Sequence, residues 1–173
     1  CTLIDQVMID LSPDIFSQCI NSHVDLSEVN HLVFTHSHSD HLNTTEICFR
    51  LREMASVIQK KDKEVMEIYG NDAVRDGIME IIAKDPHVDL TRMRFHRIQK
   101  FEPFRIGHLK FTPLKAYHKL DEEALIFVIE DGRSTLLYAN DTGALPEETL
   151  DFIEQQNIKF DVVSMDTSRG ILD

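Results

Sequence analysis

The protein has 173 residues, of which 42% are hydrophobic, so the chain is long and apolar enough to form one domain with a buried core. Its 30 acidic and 18 basic residues give a formal net charge of −12, which disfavours nucleic acid as a partner. No apolar run approaches the roughly 18 residues of a membrane-spanning helix, so we expect no membrane insertion. The three cysteines are unpatterned, which favours a reducing cytoplasm over a disulfide framework.

The first 34 residues predict short strands around one helix. Residues 2–10 predict two strands, and His31–Phe34 predicts a buried one. Residues 12–20 predict a helix that Ser12 caps. The apolar residues of this helix share one face: Ile15, Phe16, Cys19 and Ile20.

The strand at His31–Phe34 runs directly into a histidine-rich stretch, THSHSDHL. Three of the nine histidines and one aspartate fall within six positions: His36, His38, Asp40 and His41. In an extended segment, side chains two positions apart point the same way. A chance cluster or a solvated loop does not explain this spacing, which suits two metal ions held side by side. A purely structural metal site is disfavoured, because such sites are rich in cysteine.

Helices and a strand follow the histidine stretch. Residues 44–60 predict a helix with an apolar stripe of Ile47, Leu51, Met54 and Ile58. Residues 65–70 predict a strand. Residues 71–84 predict a helix that Asn71 or Asp72 caps and that turns Val74, Ile78 and Ile81 inward.

The second half of the chain predicts mostly strands. Gly107 breaks one pair of strands, and Asp131-Gly132 forms a hairpin turn in another. A helix with Pro146 in its first turn precedes a last strand. The predicted strands are residues 92–98, 101–106, 108–118, 124–130, 135–141 and 160–166. Strands and helices mixed with hairpins indicate a layered α/β fold, not a purely parallel doubly wound sheet.

Two further candidate ligands lie just past predicted strands. His118 follows one strand, and Asp141 ends another in the segment YANDTG. Loops at strand ends commonly carry catalytic groups, because the sheet holds them rigidly. Glu122 and Glu123 are expected to face solvent instead. Histidines outside these motifs are expected to be structural or exposed: His23, His31, His87, His96 and His108.

The motif THSHSDH, followed by His118 and by Asp141 in YANDTG, resembles the metallo-β-lactamase superfamily of metal-dependent hydrolases. The order of these motifs agrees from residue 2 to residue 167. The resemblance implies a four-layer αββα sandwich, with one domain over residues 1–173 and the metals at one edge of the two sheets.

The resemblance also implies a role for each motif residue. His36, His38 and His118 would hold one metal ion. Asp40 and His41 would hold a second ion, and Asp141 would bridge the two. Asp10, in VMIDLSPD, would support the histidine stretch from behind. The family usually has a further histidine on the second metal, but no histidine follows His118. We therefore expect a further ligand beyond residue 173, and the alternative is a weakened second site.

Within that superfamily, the run TLLYANDTGALPEETLDFI is most similar to phosphodiesterase-type members, such as those acting on phosphoribosyl cyclic phosphate. Asp141 stands where the best-known β-lactamases have cysteine, and HLNTTE lacks the Gly-Gly of the thioesterase type.

The sequence therefore predicts a metallo-hydrolase in which a metal-activated hydroxide attacks small or cyclic phosphodiesters. Its cofactors are expected to be two divalent ions, zinc first, with manganese or iron as alternatives. Asp141 and Asp40 are the candidate catalytic carboxylates, and the sequence leaves open whether Asp40, a water or a residue beyond 173 protonates the leaving group. The alternative functions are a nuclease of the same fold and a metal-binding domain without turnover.

Overall fold

The computed structural model describes residues 1–52 and 65–166, and the chain divides into two compact units, Cys1–Ile98 and Gln99–Asp173. In the described residues, each unit contains one five-stranded sheet, with helices packed against the first sheet and one helix packed against the second. The predicted α/β class is therefore confirmed. All three cysteines of the chain are free.

The first unit contains five strands and three helices in its described residues. The strands are β1 (Thr2–Ile4), β2 (Val7–Ile9), β3 (His31–Val33), β4 (Met66–Gly70) and β5 (Met93–Arg97), and the helices are α1 (Ile15–Ser22), α2 (Thr44–Leu51) and α3 (Asp72–Ile82). Two 3-10 turns lie at Leu26–Glu28 and Leu90–Arg92. The sheet has the order β1-β2-β3-β4-β5, with β1 antiparallel to β2 and the other pairs parallel. The carboxyl ends of its parallel strands therefore share one edge.

Helices α2 and α3 follow the predicted pattern closely. Ile47 and Leu51 of α2 are buried in the same apolar cluster as Ile68 of β4. Helix α3 buries Val74, Ile78 and Ile82, while Ile81 is only partly buried. Helix α2 ends at Leu51, because Arg52 takes an extended backbone and pairs with Val88, so the predicted continuous helix over residues 44–60 is wrong. Met54 and Ile58 of that prediction fall in residues 53–64, outside the described residues.

Helix α1 differs from its prediction in its cap and in its buried face. It begins at Ile15 behind Asp14, and the Ser12 hydroxyl donates to the Asp14 carboxylate instead of capping. Phe16 and Ile20 are 59% and 75% exposed. Ile15 and Cys19, which lie one turn apart, pack against the core. Phe16 and Ile20 form the neighbouring row on the helix surface, which the core does not cover.

The second unit contains five strands and one helix in its described residues. They are β6 (Phe104–Ile106), β7 (Leu109–Lys115), β8 (Leu125–Glu130), β9 (Thr135–Ala139), α4 (Glu147–Gln155) and β10 (Val162–Met165). The sheet has the order β10-β9-β8-β7-β6, with β9 and β10 parallel and the other pairs antiparallel. Gly107 and Gly132 take positive φ angles of 58° and 86° in the two predicted turns, where a side chain would be strained. Pro146 is the residue before α4 rather than part of its first turn.

The ends of β7 and β9 lie at the same edge of the second sheet. Lys115, the last residue of β7, pairs with Leu125, the first residue of β8. Strand β9 runs antiparallel to β8 and so ends where β8 begins. The chain segments that follow β7 and β9 therefore begin at the same edge of the sheet, on either side of β8.

A helix capable of crossing a lipid bilayer is not found in residues 1–52 and 65–166.

The cap of α3 provides a test of the fold. The Asn71 side chain is buried and accepts a hydrogen bond from Val74 N at 2.9 Å. We expect Asn71→Ala to lower the free energy of unfolding by about 1 kcal/mol, because a buried N–H loses its acceptor. Asn71→Ser, which keeps an acceptor oxygen, should change it much less. Urea unfolding followed by circular dichroism measures both, and equal stability of the alanine variant and the parent would refute the capping role.

Candidate functional site

The histidine-rich stretch forms a loop, residues 35–42, that leaves the carboxyl edge of the first sheet. Asp10 N donates to Val33 O at 2.9 Å, and Phe34 N donates to Tyr69 O at 2.8 Å. These bonds continue the β2–β3 and β3–β4 ladders by one step. They bring Asp10, just after β2, beside Thr35, at the start of the loop.

The Asp10 carboxylate is buried and holds both ends of this histidine loop. Its Oδ1 accepts from Thr35 N at 2.9 Å, and the Thr35 hydroxyl donates to the same carboxylate. Its Oδ2 lies 2.8 Å from Nδ1 of His41, which donates because carboxylate oxygens accept. This bond makes Nε2 the lone-pair nitrogen of a neutral His41. The expected supporting role of Asp10 has this geometric basis.

Thr35 also forms a hydrogen bond with the ring of His36, which determines the tautomer of that histidine. Its hydroxyl oxygen lies 2.9 Å from His36 Nδ1. Since the hydroxyl hydrogen points to Asp10, the oxygen accepts from His36 Nδ1–H. Nε2 is then the lone-pair nitrogen of His36, and it lies 2.9 Å from Nδ1 of His38. The motif thus places His36 Nε2 close to His38 Nδ1, and the hydrogen bond from Thr35 fixes the tautomer of His36.

The loop closes by returning to the chain after β2. His41 N and Leu42 N both donate to His38 O, which forms a tight turn. Leu11 N donates to His41 O at 2.7 Å, and Asn43 N donates to Leu11 O at 2.8 Å. Asn43 then caps helix α2 by accepting from Glu46 N. Hydrogen bonds therefore connect the histidine loop to the segment after β2 and to the first turn of α2.

The remaining acidic groups near this loop differ in their surroundings. The Asp40 side chain is 74% exposed, and its Oδ2 lies 3.6 Å from Nε2 of His41. Glu46, in the first turn of α2, is buried, and this burial raises the pKa of its carboxyl although the Arg50 guanidinium opposes the shift. Asp40 is thus the acid of this region that water and ligands can reach.

In the second unit, His118 and Asp141 meet above the edge of the sheet. His118 Nε2 lies 3.1 Å from Asp141 Oδ2, and both side chains are partly exposed. Asp141 follows β9 with a left-handed backbone, φ 58°, as Asp10 follows β2 with φ 59°. Aspartate tolerates this conformation better than most residues do. The backbone thus departs from the extended conformation at each of these strand ends.

Each unit therefore assembles part of the predicted ligand set. The first brings together Asp10, His36, His38 and His41 with Asp40 beside them, and the second brings together His118 and Asp141. That the two groups share metal ions stays a prediction. The expected exposure of Glu122 is wrong, because its side chain is 3% exposed and accepts from Lys119 Nζ at 3.2 Å.

Two residues beside these groups were not singled out from the sequence, Thr35 and Thr142. Each directly adjoins a motif residue, and that adjacency is the signal that could have found them. The Thr142 hydroxyl accepts from Tyr117 N at 2.9 Å, so it links the segments that carry Asp141 and His118.

Comparisons with known proteins agree on the fold. The chain is similar to a diphosphatase from the PhnP family (17% identity, TM-score 0.66), over 91% of this chain and 54% of that one. It is also similar to the metallo-β-lactamase fold protein YhfI from Bacillus subtilis (18%, 0.68), over 94% and 60%. Human tRNase Z, short form, matches at 14% and 0.64, over 94% and 68%. The chain spans little more than half the length of the first two, and identities this low show the fold alone.

No curated protein sequence matches the chain significantly. The family model described as the beta-lactamase superfamily domain matches residues 5–169, which takes in every motif residue of both units. The resemblance seen in the sequence is thereby confirmed, together with the α/β fold of metallo-β-lactamase type, and the single domain stays a prediction. The chain belongs to the beta-lactamase superfamily.

Proposed function

We propose that the chain is the metal-binding part of a hydrolase that cleaves small or cyclic phosphodiesters. The observation that carries this proposal is the pair of ring nitrogens, His36 Nε2 and His38 Nδ1, that face each other at 2.9 Å. Thr35 donates to Asp10 and accepts from His36 Nδ1–H, and we call these two hydrogen bonds the Asp10–Thr35 relay. The relay fixes the tautomer of His36, so His36 Nε2 has the lone pair that a metal ligand needs.

The donor set fits divalent metal ions. Neutral imidazoles and carboxylates bind zinc, and the same groups accept manganese or iron. In the proposal His36, His38, His118 and Asp141 hold the first ion. Asp40, His41 and the shared Asp141 hold the second. Asp10 and Thr35 touch no ion and orient the imidazoles from behind.

Divalent ions in such a pair supply a hydroxide by lowering the pKa of water, and they stabilise charge on substrate oxygens. The chain's own contribution is to hold the imidazoles oriented and close together. Exposed Asp40 is the side chain in reach of water that can carry a proton toward a leaving group. Asp141 is proposed to act as the carboxylate common to both ions.

The substrate class rests on similarity and charge. The chain shares its fold with a PhnP-family diphosphatase, and the run from β9 into α4, residues 135–153, resembles the phosphodiesterase type. The formal charge of −12 disfavours a polyanionic substrate, so a small phosphoester is preferred over RNA or DNA. The three free thiols support a cytoplasmic location as part of the same proposal.

Metal binding tests whether the two units contribute to one site. We expect zinc titration to show one tight site and a weaker second one, because the first ion has four proposed protein ligands and the second three. His118→Ala should weaken the tight site by more than about 100-fold, beyond the loss typical of outer-shell partners. His87→Ala, at an exposed histidine outside the motif, is the matched control. Unchanged affinity in His118→Ala would show that the second unit does not supply a ligand.

The relay behind His36 can be tested separately. Thr35→Val removes the hydroxyl at nearly constant volume and should weaken zinc affinity by about 10–100-fold, because the His36 tautomer is no longer fixed. Thr35→Ser keeps the hydroxyl and should restore most of the affinity. Chelator-competition titration measures both variants. A valine variant that binds zinc like the parent would refute the relay.

Turnover of bis-p-nitrophenyl phosphate tests the proposed activity. We expect Asp141→Ala to reduce kcat/KM by more than about 100-fold, because a shared carboxylate affects both ions. Asp151→Ala, at an exposed position of α4, should leave the rate unchanged. Metal-loaded protein that cleaves single-stranded RNA faster than this diester would favour the nuclease. Tight metal binding without turnover of either substrate would favour a non-catalytic domain.

A further inference from the structure

Two neighbouring hydrogen bonds join the chain after β9 to the chain after β7. The Thr142 hydroxyl accepts from Tyr117 N at 2.9 Å, and Gly143 N donates to Tyr117 O at 2.8 Å. Both backbone groups of Tyr117 are thereby bound to the segment that carries Asp141. Tyr117 directly precedes His118, and Thr142 directly follows Asp141.

Gly143 allows this close approach. A Cβ atom at this position would lie 2.9 Å from Cδ1 of Tyr117 and 3.4 Å from its carbonyl oxygen. Contacts under 3.0 Å are essentially never made by real Cβ atoms, so a larger residue would displace the Tyr117 ring. The glycine of YANDTG is therefore explained by packing against Tyr117.

The segments that meet here are themselves anchored. Lys115 O, at the end of β7, accepts from the hydroxyl of Thr149, which is completely buried in α4. Asn140, before Asp141, accepts from Ser164 Oγ of β10 at 3.1 Å. Both strand ends are thus fixed from outside, and the contact between Thr142 and Tyr117 sets how their last residues meet.

We propose that Thr142 is a positioning residue that aligns His118 with Asp141. Its hydroxyl fixes the backbone one residue before His118 from a position one residue after Asp141, so that Nε2 and Oδ2 are held 3.1 Å apart. The inference rests on the proposed function in one respect, that these two atoms bind the same ion. The alignment itself is a property of the metal-free chain.

Exposure separates positioning from general stability. The bond between Thr142 and Tyr117 lies in an exposed region, and Tyr117 is 60% exposed. Water can therefore replace the lost hydroxyl as a partner for Tyr117 N, so its removal should hardly change the stability of the fold. The geometry of the His118–Asp141 pair should change instead.

The experiment compares Thr142→Val, which removes the hydroxyl at similar volume, with Thr142→Ser, which keeps it. We expect the valine variant to bind zinc about 10–100-fold more weakly, and the serine variant to bind within about threefold of the parent. Urea midpoints should be nearly equal. Ser134→Ala, in an exposed turn of the same sheet, is the control and should behave like the parent.

A second measurement uses the metal-free chain. We expect Thr142→Val to speed amide exchange at Tyr117 and to shift the ring resonances of His118, and Thr142→Ser to do neither. Parent-like zinc affinity in the valine variant, or equal loss in the valine and serine variants, would overturn the positioning role. A parent chain that binds no zinc would refute the proposed function. The positioning role would then be judged by the His118 resonances, and unchanged resonances in Thr142→Val would overturn it.

Discussion

The Asp10 carboxylate is the group on which the order of the histidine loop depends. It is buried and accepts hydrogen bonds from the backbone and hydroxyl of Thr35 and from His41 Nδ1. A buried carboxylate is costly unless its oxygens are satisfied, so the loop must close around it to recover that cost. The same bonds fix the tautomer of His41 directly and that of His36 through Thr35.

The two units reach comparable arrangements from different sheets. In the first, parallel strands place Asp10 and Thr35 at adjacent carboxyl ends. In the second, antiparallel β8 lies between β7 and β9, so the two strands that run in the same direction end at one edge. In both, an aspartate with a left-handed backbone follows a strand end. A sheet edge followed by one left-handed residue is thus common to the two carboxylates.

Threonines next to the motif residues connect these arrangements. Thr35 joins Asp10 to His36, and Thr142 joins the backbone before His118 to the segment of Asp141. A hydroxyl oxygen can donate and accept at one atom, which a carboxylate oxygen or a backbone N–H cannot do. The precise orientation of the candidate ligands therefore depends on residues that need touch no metal.

The sequence by itself determined the α/β class, nearly every strand and the identity of the motif residues. Strand periodicity, the glycine turns and the spacing of the histidine stretch are local properties, so they can be recognised without knowing what packs where. The same local signals failed for α1, where Phe16 and Ile20 look like core residues but are exposed, and for Glu122, which looks like a surface acid but is buried. Burial depends on which distant segments cover a side chain. Only the tertiary structure decided that Asp10 bonds to Thr35 and His41, which lie 25 and 31 positions away. It also decided that Thr142 bonds to Tyr117, 25 positions away. The reason is that hydrogen bonds between distant segments form only once the sheet has brought the strand ends together.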